Sequence, residues 1–269
     1  MAEAKVILNN QDMNNTISPL AFVSPEAKLG EGVTIHPFAY VDKDVVIGNN
    51  CTIMPYASVL SGTRMGNGNQ VYQGAVLGAT PQDFTFHGDE SFLEIGNDNV
   101  FREGVLVSRS SHAGGKTVIG NKNFLMEGVH VCHDSRIADH CVIGIKTLVS
   151  GNCIIDSHAI LSSMVIMFQD THVGEWSMVR GGARFKKDVP PFVVTTANPT
   201  SYYGVNVKVL EYNKFPEKVI KHIAHAYEII YHAKVSVTDA LIRVEEEVPM
   251  SDEIRSLVKF IRSSEKGIV

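Results

Sequence analysis

A period of six residues governs this chain. Stepping by six from Ile17, the sequence reads Ile17, Val23, Leu29, Ile35, Val41, Ile47, Ile53, Val59, Met65, Val71 and Leu77. The register resumes at Ile95, Phe101 and Val107, then runs from Ile119 through Leu125, Val131, Ile137, Ile143, Val149, Ile155, Leu161, Met167, Val173 and Val179 to Phe185. It fails only at Asp83, Asp89 and Ala113. Four places after an anchor the residue is usually small, as at Ala21, Ala39, Cys51, Ala57, Ala75, Cys141, Cys153 and Ala159. This period is neither helical nor a plain two-residue alternation. It suits a short strand followed by a corner. Three such units close a triangular coil of about 18 residues, with anchors pointing inward and stacking about 4.8 Å apart. Each buried anchor contributes about 1.5–3 kcal/mol, which must offset the entropy of ordering the chain. The expected fold is mainly β, a parallel β-helix of hexapeptide repeats over residues 17–190.

Two stretches, 78–94 and 108–118, lack the pattern and read as loops thrown out of the coil; long loops in a compact solenoid are usually functional or disordered. Residues 1–16 precede the repeat without joining it. Val189-Pro190-Pro191 should end the coil, because proline cannot continue a ladder. A linker then runs through Asn206. Residues 216–232 read as an amphipathic helix with Val219, Ile220, Ile223, Tyr227 and Ile230 on one face. Residues 238–247 and 251–263 read as two more, with Thr238 and Ser251 as N-caps. Residues 191–269 are thus expected to be a linker and a C-terminal α-helical domain.

Composition removes several function classes. A formal net charge of −5 with no long basic run gives no reason to expect nucleic acid. The first ten residues lack the pattern of a secretory signal, and no apolar run approaches the ~18 residues of a membrane span. A cytoplasmic protein without an integral membrane segment is expected. Of Cys51, Cys132, Cys141 and Cys153, three occupy the small position of the repeat, and none forms a C-x-x-C pair. They read as small core side chains rather than disulfides or metal ligands.

The repeat also aligns side chains. His133, Gly151 and Gln169 share one column on successive coils, with Asp134, Asn152 and Asp170 stacked beside them. His130 lies three residues before His133. One reading makes His133 a general base, since imidazole exchanges its proton near neutral pH. Asp134 would orient the ring, and the Gly151 N–H would stabilise an oxyanion. Adjacent strand residues point to opposite faces, so His133 and Asp134 can meet only at a corner. A second reading leaves all of these as polar residues on a solenoid wall. A third is zinc, as in some trimeric hexapeptide proteins, but no third histidine joins His130 and His133, so no metal is expected.

The segment Met126-Glu127-Gly128-Val129-His130-Val131-Cys132-His133-Asp134 resembles the active-site segment of UDP-N-acetylglucosamine acyltransferases, the first enzymes of lipid A synthesis. Gln82-Asp83, Asp188-Val189-Pro190-Pro191-Phe192, Gly204-Val205-Asn206 and the stretch around Ala226-Tyr227-Glu228 are similar as well. The resemblance implies a left-handed winding, a homotrimer with clefts between subunits, and transfer of a 3-hydroxyacyl group. The donor would be the thioester of acyl carrier protein, with no further cofactor, and the acceptor the 3-hydroxyl of a nucleotide sugar, UDP-N-acetylglucosamine. It implies catalytic roles for His133, Asp134 and Gly151, and substrate contacts from Gln82, Asp83, His130, Asn152, Gln169 and Asn198. The sequence departs from the family at Thr85, where a lysine is usual, at Asn152 in place of histidine, at Phe168-Gln169-Asp170 in place of His-Gln-Phe, and at Leu210 to Phe215, where a basic segment is usual. These departures leave room for a divergent paralogue: the same chemistry on another acceptor, or a non-catalytic trimeric scaffold. A basic cluster, Arg180, Arg184, Lys186 and Lys187, could dock the acidic carrier protein or simply be solvated.

Overall fold

The computed structural model describes residues 15–269. Of the N-terminal stretch read as standing apart from the repeat, residues 1–14 lie outside the described residues, whereas Thr16 joins the first strand and pairs with Thr34. The repeat folds into three parallel sheets of 11, 9 and 8 strands, hereafter the first, second and third, most of whose strands are two residues long. Each turn of chain visits the sheets in order, giving a left-handed parallel β-helix. Anchors stack on anchors: Ile35 pairs with Ile53, Val41 with Val59, Ile143 with Leu161 and Val149 with Met167. From Ile35 on these side chains are sealed from solvent and form one continuous core.

The corners explain the rest of the pattern. Their second residue takes a positive φ, as at Asn50 (55°), Asp98 (57°), Asp134 (62°) and Asn152 (57°). Asn and Asp tolerate that region better than other residues with a side chain. Where the small position is asparagine, the amides form a buried ladder: Asn69 Oδ1 accepts from Asn99 N–H at 3.0 Å, Asn99 Oδ1 from Asn123 N–H at 2.9 Å, and Asn123 Oδ1 from Cys141 N–H at 2.7 Å.

The two excursions are shorter than the hexad pattern suggests. Strands Val76–Ala79 and Phe92–Ile95 flank the first, and Leu106–Ser108 and Lys116–Ile119 the second. They therefore span residues 80–91 and 109–115. The strands lengthen because the excursions run side by side: Phe92 pairs with Lys116 and Leu93 with Thr117, ahead of the anchor pair Ile95 and Ile119.

Pro190 and Pro191 do not end the sheet. Met178 in the first sheet pairs with Val194 of strand Val193–Thr195, which forms an antiparallel hairpin with Tyr202–Val205. The prolines sit before a corner at Phe192 (φ 64°), where no ladder N–H is required. Four helices follow: α1 (Val207–Tyr212), α2 (Glu217–His232), α3 (Val237–Glu247) and α4 (Asp252–Ser263). The first was not expected; six residues are too few to show a helical period, and its one buried side chain is Leu210. Ser236, not Thr238, caps α3: its hydroxyl oxygen accepts from Asp239 N–H at 3.1 Å. Ser251 caps α4 as expected. Helix α2 packs on the hairpin through Tyr227, whose buried hydroxyl donates to Pro191 O at 2.5 Å, and Tyr231, stacked 4.1 Å from Tyr202.

Candidate active site

Each coil turns from the second sheet to the third through one corner, and the chemistry gathers there. Three successive coils place His133-Asp134, Gly151-Asn152 and Gln169-Asp170 at this corner, in the column that the repeat predicts. Both excursions leave from the same corner in the two preceding coils. They form a wall beside His133.

Asp134 is the turning residue. Its positive φ swings its carboxylate back toward the preceding side chain, so neighbours that would diverge in a strand meet: His133 Nδ1 lies 2.8 Å from Asp134 Oδ2. Both side chains are largely buried, at 15% and 14% exposure. The other ring nitrogen, Nε2, faces the first excursion, 3.5 Å from Asp83 Oδ2. Asp83 is itself held, its Oδ1 accepting from both the N–H and the hydroxyl of Thr85 at 2.8 Å. Those two bonds, together with the nearby imidazoles of His133 and His112, hold the Asp83 carboxyl below its usual range.

Gly151 lies under the imidazole. A Cβ there would stand 2.7 Å from His133 Cε1 and 2.9 Å from Nε2, closer than atoms can approach, so the ring occupies the space that a side chain would need. The Gly151 N–H makes no hydrogen bond among the described residues. A free donor beside Nε2 is the arrangement that stabilises a developing oxyanion.

The second excursion supplies contacts that sequence reasoning did not name. Ser110 donates its hydroxyl to Asp134 Oδ1, and Ser111 donates its hydroxyl to Oδ2 at 2.8 Å and its N–H at 3.2 Å. The Asp134 N–H donates to Thr117 Oγ1 at 2.8 Å. His112 Nδ1 stands 3.2 Å from Oδ2. Burial works to raise the Asp134 pKa, but the bonds from Ser110, His133 and Ser111 outweigh it and hold the carboxyl far below its usual range. The only sequence signal for these residues was the run Ser110-Ser111-His112 inside an excursion, where the arithmetic of the repeat is lost.

The remaining expected residues are not drawn into this cluster. His130 is half-buried on the second sheet, with Cys132 Sγ 3.7 Å from its Nε2. Asn152 turns away, donating to Asp170 Oδ1 at 2.8 Å, while Lys266 from the C-terminal tail reaches Asp170 Oδ2 at 3.4 Å. Gln82 and Gln169 are exposed. Asn198 is exposed at the tip of the hairpin that follows Pro191. Among the described residues no group of three or more His, Cys, Asp and Glu is placed to hold a metal ion.

Comparison with known proteins places this geometry in a lineage. Residues 188–269 match the family described as Udp N-acetylglucosamine O-acyltransferase, domain 2, and residues 44–79 match the bacterial transferase hexapeptide. An acyl-[acyl-carrier-protein]–UDP-N-acetylglucosamine O-acyltransferase from Myxococcus xanthus is 36% identical over 253 residues, covering 94% of this chain and 98% of that protein. The crystal structure of a UDP-N-acetylglucosamine acyltransferase from Bacteroides fragilis superposes with a TM-score of 0.93 at 49% identity, covering 94% of this chain and all of the other. A Francisella novicida enzyme of the same name gives a TM-score of 0.91 at 30% identity, covering 94% of each chain.

Proposed function

The chain belongs to the UDP-N-acetylglucosamine O-acyltransferase family, and we propose that it moves a 3-hydroxyacyl group from acyl carrier protein to the 3-hydroxyl of UDP-N-acetylglucosamine, the first step of lipid A synthesis. The observation that carries the chemistry is the His133–Asp134 pair. An anionic Asp134 accepts from His133 Nδ1–H, which leaves Nε2 with a lone pair on the side of the first excursion, near Asp83. Nε2 takes the proton of the sugar hydroxyl as its oxygen attacks the thioester carbonyl. A C–O bond forms and the carbonyl becomes an oxyanion, to which the Gly151 N–H donates. Collapse breaks the C–S bond, and the proton on Nε2 passes to the departing thiolate. Asp83, 3.5 Å from Nε2, favours the imidazolium formed in between.

The wider assembly follows the same reading. From Val100 on, the outward residues of the first sheet, Val100, Phe124, Val142, Ile160 and Met178, are apolar and half-buried in the single chain, and so are Leu106, Leu148 and Ile166 of the second. Such faces suit a homotrimer whose clefts lie between subunits. Arg180, Arg184, Lys186 and Lys187 make no salt bridge among the described residues and are available to an acidic carrier protein; Arg180 lies 3.9 Å over the Tyr203 ring. Among the described residues no helix is long and apolar enough to cross a membrane, in keeping with a cytoplasmic enzyme. A different sugar acceptor is the second reading, favoured by Thr85 and Asn152: both bond within the protein, to Asp83 and Asp170.

The test is direct. The protein is incubated with 3-hydroxyacyl carrier proteins of several chain lengths and with UDP-N-acetylglucosamine or other UDP-sugars, and products are read by mass. Acylated UDP-N-acetylglucosamine is expected; acylation of another sugar alone would select the second reading. His133→Ala should lower turnover by at least about a thousandfold with circular dichroism unchanged, and substantial remaining activity would remove His133 as the base.

A further inference from the structure

We propose that Ser110 and Ser111 are positioning residues, which hold Asp134 as an oriented anion and so decide which nitrogen of His133 carries the proton. This rests on the reading of His133 as the base. Asp134 Oδ1 takes the Ser110 hydroxyl, while Oδ2 takes the Ser111 hydroxyl at 2.8 Å and the Ser111 N–H at 3.2 Å, alongside His133 Nδ1 at 2.8 Å. Both serines are buried, so their hydroxyls are not surface groups that found the carboxylate by chance. The hydroxyl of Ser110 is aimed. It accepts the His112 N–H at 3.0 Å, which leaves its proton for Asp134. The backbone of Ser110 is pinned on both sides, its N–H donating to Phe92 O at 3.2 Å and its carbonyl accepting the Ser91 hydroxyl at 2.6 Å. Gly115 follows from the same packing, since a Cβ there would collide with Ser110 Oγ.

The consequence is electronic as well as geometric. A carboxylate in a buried corner stays ionised only if donors replace the water it has lost. With both serines in place, Asp134 is an anion whose Oδ2 points at Nδ1, and the Nδ1–H tautomer of His133 follows. Without them, the carboxyl either takes a proton or swings toward the exposed His112, whose Nδ1 is already 3.2 Å from Oδ2. In both cases the His133 Nδ1–H loses its anionic acceptor, and with it the preference for that tautomer. The competing tautomer, with the proton on Nε2, cannot accept the sugar hydroxyl proton. A holding contact two residues from the solenoid core therefore reaches the proton-transfer atom through one carboxylate.

The experiment compares Ser110→Ala, Ser111→Ala, the double variant and Ser111→Thr, with His133→Ala as reference. Measured are kcat, the KM for both substrates, and the 15N shifts of His133 in the folded protein. Expected for the double variant is a kcat lower by about tenfold to a hundredfold, with both KM values within about twofold, and a His133 spectrum moved from one tautomer toward a mixture. Ser111→Thr keeps the hydroxyl and should recover most of the kcat lost in Ser111→Ala. If the double variant does not fold, the single variants carry the same comparison. Unchanged kcat and an unchanged His133 tautomer in the alanine variants, with His133→Ala inactive, overturn the positioning role alone. An active His133→Ala instead overturns the base assignment, and the serine role with it.

Discussion

At the scale of single residues, the imidazole of His133 fills the space where a side chain at position 151 would stand. Stepping by one coil along the repeat places His133 over Gly151, and the two touch closely enough that only glycine fits. Gly151→Ala should displace the imidazole and lower kcat by at least about tenfold while the melting temperature changes little, because the ring that must yield is not part of the apolar core; activity and thermal melts on one preparation check this. The same rule could not reach Ser110, Ser111 or Thr117, because excursions break the count that relates one coil to the next. Its second column holds as well: Asn152 stands beside Asp170 and donates to its Oδ1 at 2.8 Å. His130 carries a separate consequence. Burial holds its pKa below the ordinary 6.5, so the unfolded chain binds that proton more readily than the folded one. Stability is then full above pH 6.5 and is lost as pH falls toward the folded value. His130→Gln should lose less melting temperature than the parent protein between pH 7.5 and 5.5, and equal losses would exclude this contribution.

At the scale of elements, what was legible depended on length and on the strength of local rules. Two-residue strands would be invisible alone, yet their repetition revealed them all. The helices α2 and α4 showed themselves by periodic apolar residues and, at α4, by a serine cap. Helix α1 is too short to signal itself, and the sequence places the cap of α3 two residues late because Ser236 and Thr238 are both good caps. The structure resolves the choice through a reciprocal pair: Ser236 accepts the Asp239 N–H and donates to the Asp239 carboxylate at 2.7 Å. Ser236→Ala should therefore cost about 1 kcal/mol of stability, whereas Thr238→Ala should cost less than half of that. Denaturant titration distinguishes the two, and a larger loss from Thr238→Ala would place the cap where the sequence alone put it. The proline pair at 190–191 misled for a related reason. Proline excludes a residue from a ladder but not from a corner, and the corner at Phe192 let the first sheet continue through Val193–Thr195.

At the scale of the whole molecule, the six-residue period defines a three-sided coil but not its hand, since either winding buries the same anchors. Nor does it show which of the three outer faces meets a neighbour; that information lies in the residues between anchors. On the first sheet, Val142, Ile160 and Met178 stand in register on successive strands and face outward. At the corner between the first and second sheets, Ile145 and Met164 are exposed at 36% and 64%. Contiguous apolar surface of this kind marks an association site. On the third sheet the outward residues are mixed: Lys28, Arg64, Glu94 and Arg136 are interspersed with Val46, Val118 and Ile154, and Arg64 pairs with Asp44 and Lys116 with Glu94. The later strands of the first and second sheets therefore offer the surface on which the proposed homotrimer would assemble. Sedimentation equilibrium of the parent protein should give three times the 29.5 kDa chain mass. Ile160→Lys puts a charge into the first-sheet face without touching the core anchor Leu161, so it should yield a folded monomer by circular dichroism. That monomer should lose nearly all acyl transfer if, as proposed, the neighbouring subunit forms one side of the cleft beside His133. A monomeric parent protein would refute the assembly outright, and a fully active Ile160→Lys monomer would show that the corner is complete within one chain.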